Sequence, residues 1–222
     1  MTTPYYADES VTLWHGDCLE ITDWLQADVL VTDPPYGLDA HLSGGRRGRT
    51  PASGFARVNG KPAWDVNLEA RNDALAAWGD RPAAVFGSPR RLDDPPPFRE
   101  IPLVWDKQVV GQGDVSFPWG RSYELIYVSG AGWTGRREES VLRVGHHVAR
   151  KASLEGHPSF KPTGLLVKII DKAPPGVVAD PFAGSGSTLV AARNLGRRAI
   201  GVEIEERYCE IIAKRLSQGV LL

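Results

Sequence analysis

Residues 177–188 read VVADPFAGSGST. Three apolar residues run into Asp180, a Gly-x-Gly turn follows, and a helix can begin near Ser187. A buried strand that turns through glycines into a helix commits this half of the chain to helices laid over a sheet. Other apolar runs repeat the pattern. Segments 11–14, 29–33, 83–87, 101–105, 123–128, 177–180 and 198–203 read as strands, several continuous rather than alternating, as in a sheet buried on both faces. Helical spacing of apolar residues appears at 206–217 (Tyr208, Ile211, Ile212, Leu216), 187–195 and 163–171, and more weakly at 67–78. The expected fold is α/β: a mostly parallel central sheet flanked by helices. At 222 residues, 42% of them hydrophobic, the chain can bury one sizeable core, so a single domain spanning 1–222 is expected.

The glycine turn points to a ligand. Glycines let backbone approach a bound group closely, and the turn ends at a helix N-terminus. The next strand ends in Glu203, an acid placed to accept both hydroxyls of a ribose. GSGSTL lacks the third glycine of the dinucleotide fingerprint, and no lysine follows as in a phosphate-binding loop. An ordinary small-residue turn remains the plain alternative; a nucleoside site is the sharper one.

A second corner lies at 29–37, VLVTDPPYG. An apolar strand meets Asp33, then Pro34, Pro35 and Tyr36. Asp-Pro is good turn chemistry. Two prolines also fix φ and would hold chemical groups still. Asp33 offers a carboxylate and Pro34 a carbonyl, two fixed acceptors, and Tyr36 an aromatic face.

The formal charge is −1, with no general basic field. Basic residues instead cluster. Segment 40–64 contains no acid but holds Arg46, Arg47, Arg49, Arg57 and Lys61, and reads as a mobile basic loop. Segment 130–158 holds Arg136, Arg137, Arg143, Arg150 and Lys151. The two cysteines, Cys18 and Cys209, show no metal-ligand spacing and fit a reducing, cytoplasmic setting. The pair His146-His147 lacks other ligands at suitable spacing, so no metal is expected. No segment reads as a membrane span or signal peptide.

Together these pieces resemble the amino-methyltransferases of DNA, which use S-adenosylmethionine. DPPY at 33–36 matches their catalytic motif, and DPFAGSGST at 180–188 their cofactor loop. GVEIEERY places Glu203 in the ribose position. HPSFKP at 157–162 is similar to the segment preceding the loop. HGDCLE resembles the motif that approaches the adenine of the cofactor; VWDK and RSYELIYV match strands of the catalytic half. The catalytic motif comes first and the cofactor loop last, the permuted order of the beta class. The resemblance fades at 40–64 and 130–156.

It implies a Rossmann-like methyltransferase fold and a site-specific transfer of methyl from S-adenosyl-L-methionine to an exocyclic amino group after base flipping. DPPY is typical of enzymes acting on N6 of adenine; cytosine N4 is the alternative, and a subunit that binds without catalysing is the alternative of another class. The implied catalytic residues are Asp33, Pro34, Pro35 and Tyr36: the Asp33 carboxylate and Pro34 carbonyl would clamp the amino group, and Tyr36 either stacks on the flipped base or packs on the sheet. The implied cofactor residues are Asp17, Cys18, Lys161, Asp180, Pro181, Phe182, Ala183, Gly184, Ser185, Gly186, Ser187, Thr188 and Glu203, with Lys161 near the methionine part. No Pro-Cys nucleophile for carbon methylation is present, and both cysteines read as packing residues. Double-stranded DNA is the expected partner, held by Arg46, Arg47 and Arg49 and by Arg136 and Arg137 in a short target-recognition insertion at 130–156. The beta class often dimerises, so a homodimer is expected.

Overall fold

A computed structural model describes residues 3–36, 68–87, 102–109, 118–120, 122–145 and 160–218, and the backbone of 57–58 and 61–62. In chain order the elements are β1 (Tyr6–Ala7), β2 (Val11–His15), a 3-10 turn (Asp23–Gln26), β3 (Val29–Thr32), β4 (Arg57–Val58), β5 (Lys61–Pro62), α1 (Glu69–Trp78), β6 (Ala83–Gly87), β7 (Leu103–Asp106), β8 (Tyr123–Ser129), β9 (Val141–Arg143), α2 (Thr163–Ile170), β10 (Val178–Asp180), α3 (Ser187–Asn194), β11 (Ala199–Glu203) and α4 (Glu206–Ser217).

Nine strands form one sheet in the order β1-β2-β11-β10-β3-β6-β8-β7-β9, and β4 pairs with β5 separately. The central pairs β2-β11, β11-β10, β10-β3 and β3-β6 are parallel. Strand β8 runs antiparallel to β6 and β7. Parallel strands need helical crossovers, and these cover both faces. Side chains alternate accordingly. Val29, Val31, Ala84, Phe86 and Val178 join α2, α3 and α4 in one core; Leu30, Ala83, Val85 and Ala179 join α1 and the 3-10 turn in the other. That is why these strands read as continuous apolar runs.

The helices dock by their apolar stripes. Leu165, Leu166, Ile169 and Ile170 of α2 are all buried, each worth roughly 1.5–3 kcal/mol of transfer free energy. Helix α3 lies close on β11 because residue 201 is glycine: a Cβ there would stand 2.7 Å from Leu189 Cδ1. On the other face Trp24 stacks on Trp78 with centroids 5.9 Å apart. Arg81 covers Trp78 and donates to the carbonyls of Leu25 and Ala27.

The seven expected strands and four expected helices all form, with ends shifted by up to two residues. Strands β1, β4, β5 and β9 and the 3-10 turn are absent from the sequence reading; at two to four residues they are too short to show a period. Strand β9 has a consequence. It pairs with β7, Arg143 opposite Asp106, so part of the span read as an insertion is a sheet strand.

Strand β10 is central. From it the chain crosses by α3 to β11 on one side, while β3 leads by α1 to β6 on the other. At such a switch point the loops part and leave a crevice outside the strand carboxyl ends.

Candidate active site

Three acids converge on that crevice. Strand β10 ends in Asp180, β11 ends in Glu203, and Asp33 follows the last residue of β3. Asp180 and Glu203 are buried, and Asp33 is half-buried.

The cofactor-loop motif is folded by its own acids. Asp180 Oδ1 accepts from Thr32 Oγ1 at 2.7 Å and from the Phe182 N–H at 3.2 Å. Glu203 Oε2 accepts from the Gly184 N–H at 2.6 Å, and Oε1 from the Glu205 N–H at 2.8 Å. The segment Pro181, Phe182, Ala183, Gly184, Ser185, Gly186 is thereby drawn over the end of β11 before Ser187 and Thr188 start α3. Gly186 has φ +75°, and a Cβ on it would stand 2.8 Å from Ile212 Cγ1; both conformation and packing require glycine. The Arg215 guanidinium donates to the Ser185 carbonyl and lies over the Phe160 ring at 4.5 Å. Burial pushes the Asp180 carboxyl up to about 6 and Glu203 up to about 7, against the hydrogen bonds that favour their charged forms. Buried acceptors of this kind suit a hydroxyl-bearing ligand.

Asp17 and Cys18 lie on the same edge. Strand β2 pairs with β11 up to His15 opposite Glu203, and the Gly16 N–H donates to the Glu203 carbonyl at 2.9 Å. Asp17 Oδ1 accepts from the Leu19 N–H at 2.9 Å. Cys18 is buried, and burial pushes its thiol up to about 12; Cys209 is pushed equally far. Neither is placed to act as a nucleophile.

Around Asp33 the structure brings together residues from five parts of the chain. Tyr36 Oη donates to Asp33 Oδ1, and Lys161 Nζ donates to Asp33 Oδ2. Pro34 is buried, and the Tyr36 ring packs against the core. Lys161 reaches the corner from the segment just before α2, its side chain 7% exposed, with Nζ 5.2 Å from the Phe86 ring centroid. Its second anionic neighbour is Glu124 of β8, whose Oε2 lies 3.3 Å from Nζ. Glu124 Oε1 in turn accepts from Lys107 Nζ. Burial disfavours the charged form of Lys161, but Asp33 and Glu124 outweigh it and hold the ammonium above its ordinary range. Burial likewise opposes charge on Glu124, and Lys161 and Lys107 outweigh it and hold its carboxyl below the usual range.

Glu124 and Lys107 are absent from the sequence-derived site. The signal was there: RSYELIYV places an acid inside an otherwise apolar strand, a position that demands a partner. Lys161 donates to the Asp33 carboxylate; the resemblance implies a place near the methionine part of the cofactor. The Tyr36 hydroxyl donates to Asp33, and its ring packs against the core.

The arginines separate. Strand β8 is antiparallel, so its last residue, Ser129, pairs with Ala83 at the start of β6. The chain beyond it is tied to the far end of α2: the Thr134 N–H donates to the Lys172 carbonyl at 2.8 Å, and Lys172 Nζ to the Arg136 carbonyl at 2.6 Å. Arg136 and Arg137 are thus exposed at the sheet end opposite Asp33. Arg46, Arg47, Arg49 and the pair His146-His147 lie outside the described residues, as does nearly all of the basic segment 40–64. Among the described residues no cluster of three or more metal-ligating side chains is found, and no helix is long and apolar enough to cross a membrane.

Known proteins share this architecture. A crystal structure of an M1.HpyAVI–SAM complex superposes with TM-score 0.62 over 92% of this chain and 99% of that one, at 23% identity. The PvuII DNA methyltransferase, described as cytosine-N4-specific, gives 0.63 over 96% and 89%, at 15% identity. In sequence, YubD of Escherichia coli (strain K12), which carries a methylase name, is 48% identical over 91% of this chain and 88% of its own. The type II methyltransferase M2.LlaDCHI of Lactococcus lactis subsp. cremoris is 27% identical over 99% of this chain and 94% of its own. The family model described as DNA methylase, covering the N6 and N4 enzymes, matches residues 99–214, more than half of the chain. A DPPY corner beside a glycine loop, on a sheet of this order and in a chain this similar to known methylases, places the protein in the N6/N4 DNA methylase family.

Proposed function

We propose that this protein transfers a methyl group from S-adenosyl-L-methionine to the N6 amino group of adenine at a specific site in double-stranded DNA. The observation that carries this is the adjacency of Asp33 and the Asp180–Glu203 loop across the switch point between β3 and β10. One corner offers acceptors for an amino group and the other a nucleoside cradle. Adenine is favoured over cytosine by the first residue of DPPY, which in the resembling family is more often serine when cytosine is the target.

The cradle fits the cofactor. Glu203 would take the ribose hydroxyls, since both its oxygens are fixed by backbone N–H groups with lone pairs to spare. Asp17 and Cys18 would border the adenine, with Leu19 and Ile204, which are 39% and 55% exposed, offering apolar surface to the ring. The loop from Pro181 to Thr188 would hold the methionine part. Bound there, the cofactor supplies an electrophilic methyl on a sulfonium.

The chain's own residues do the rest. An exocyclic amine is a poor nucleophile because its lone pair is delocalised into the ring. Asp33 Oδ and the Pro34 carbonyl would accept its two hydrogens and favour the tetrahedral form, leaving the lone pair directed at the methyl carbon. The cofactor would supply the methyl carbon to the nitrogen lone pair and would keep the carbon–sulfur bonding pair on leaving as a thioether. The nitrogen then sheds one proton, with Asp33 as its nearest acceptor. No cysteine is required. Phosphate contact falls to the 40–64 segment rather than to Arg136 and Arg137, and a homodimer would supply further DNA contacts.

The test is nucleoside mass spectrometry on unmethylated duplex incubated with the protein and methyl-labelled cofactor. Label in N6-methyldeoxyadenosine supports the reading, and label in N4-methyldeoxycytidine moves the target to cytosine. No label, with the cofactor bound normally, refutes the transferase and favours a binding subunit. An Asp33→Ala variant should bind cofactor and lose the label.

A further inference from the structure

Asp33 holds its ion pair at the place where the substrate must arrive. Both of its oxygens already take a donor, Tyr36 on Oδ1 and Lys161 on Oδ2. At rest this makes sense: a half-buried carboxylate beside the buried Asp180 needs compensation. During transfer the same cation is a hindrance. Positive charge develops on the target nitrogen, and an ammonium on Asp33 both repels it and weakens Asp33 as an acceptor.

A second seat for that ammonium is already built. Glu124 Oε2 is buried and lies 3.3 Å from Lys161 Nζ, a longer and weaker ion-pair contact than the one Asp33 makes. Its partner oxygen is fixed by Lys107, whose Nζ is 5.1 Å from the Trp105 ring centroid. The Trp105 indole is anchored in turn on the Val144 carbonyl at 2.9 Å. A short turn of the Lys161 ammonium would exchange its close contact with Asp33 for an equally close one with Glu124. The two acids and two lysines sum to zero charge, so the move needs no counter-ion and no proton.

We infer that Glu124 is a positioning residue that receives Lys161 from Asp33 when the amino group of the target base docks, freeing Asp33 to accept its N–H. The hand-over deepens the methyl-transfer reading and rests on it. Lys161 stays charged throughout and returns to Asp33 when product leaves. Glu124 touches neither base nor cofactor; it acts through Lys161.

Glu124→Gln tests this. The amide is a poorer acceptor for an ammonium, so Lys161 stays on Asp33. The expected result is a kcat lower by about tenfold to a hundredfold, the scale of one charge-assisted hydrogen bond. Cofactor affinity and KM for DNA should stay within about twofold, and Glu124→Asp should recover part of the rate. A structural role alone would lower binding and stability together without that split. A kcat within about twofold of wild type, beside an active wild type, overturns the hand-over and leaves the activity standing. A wild type that transfers no methyl overturns both. Where Glu124→Gln fails to fold, the wild type with target duplex and a non-reactive cofactor analogue decides. Lys161 Nζ hydrogen-bonded to Glu124 Oε2 and parted from Asp33 supports the inference; Lys161 still on Asp33 refutes it.

Discussion

Glu203 is held in a place that does not suit its own charge. Burial pushes its carboxyl up to about 7, from an ordinary value near 4.5. A group whose folded value is raised favours the folded state below its unfolded value and loses that contribution as pH rises through the folded one. Without cofactor, ionising Glu203 therefore destabilises the protein. At 1.36 kcal/mol per unit, the loss between about pH 5 and pH 8.5 is about 2–3 kcal/mol. Glu203→Gln removes the titration. It also leaves either the Gly184 or the Glu205 N–H without a carboxylate acceptor, an offset of about 1–3 kcal/mol that does not vary with pH. The quantity to measure is thus the difference in stability between wild type and variant as pH changes. Thermal melts without cofactor should show the variant gaining on the wild type by about 5–10 °C from pH 5 to pH 8.5, given about 2–4 °C per kcal/mol in a chain of this size. Groups that do not interact with Glu203 cancel between the two proteins. A difference that stays flat, within about 1 °C on that scale, would refute the argument that burial of Glu203 outweighs its two backbone hydrogen bonds. The variant should also lose most of its cofactor affinity.

Gly186→Ala should destabilise by about 2–4 kcal/mol, from the left-handed backbone and the crowding of Ile212 together, and should weaken cofactor binding in calorimetry. Replacing Arg136 and Arg137 together by alanine should leave DNA affinity and its salt dependence within about twofold, because both lie at the sheet end away from Asp33; a lost phosphate contact would instead flatten the salt slope by about one per residue.

The sequence by itself determined the layers and the two corners. Continuous apolar runs such as 29–32 and 83–87, short and bounded by charged or glycine-rich stretches, read as strands covered on both faces. The order of DPPY and DPFAGSGST along the chain, with Glu203 one strand later, was legible because local chemistry at strand ends does not depend on distant partners. What the sequence left open was everything decided by strand order and direction. Asp33 and Asp180 are 147 positions apart and become neighbours only because β3 pairs with β10. Arg136 and Arg137 read as candidate DNA contacts until β8 runs antiparallel and delivers them to the sheet end away from Asp33. Glu124 reads as a stray acid in RSYELIYV until that same reversal sets it beside Lys161. Periodicity reports which face a residue occupies, but the sign of a strand's direction is fixed by long-range pairing, and that is where this protein assembles its buried charges.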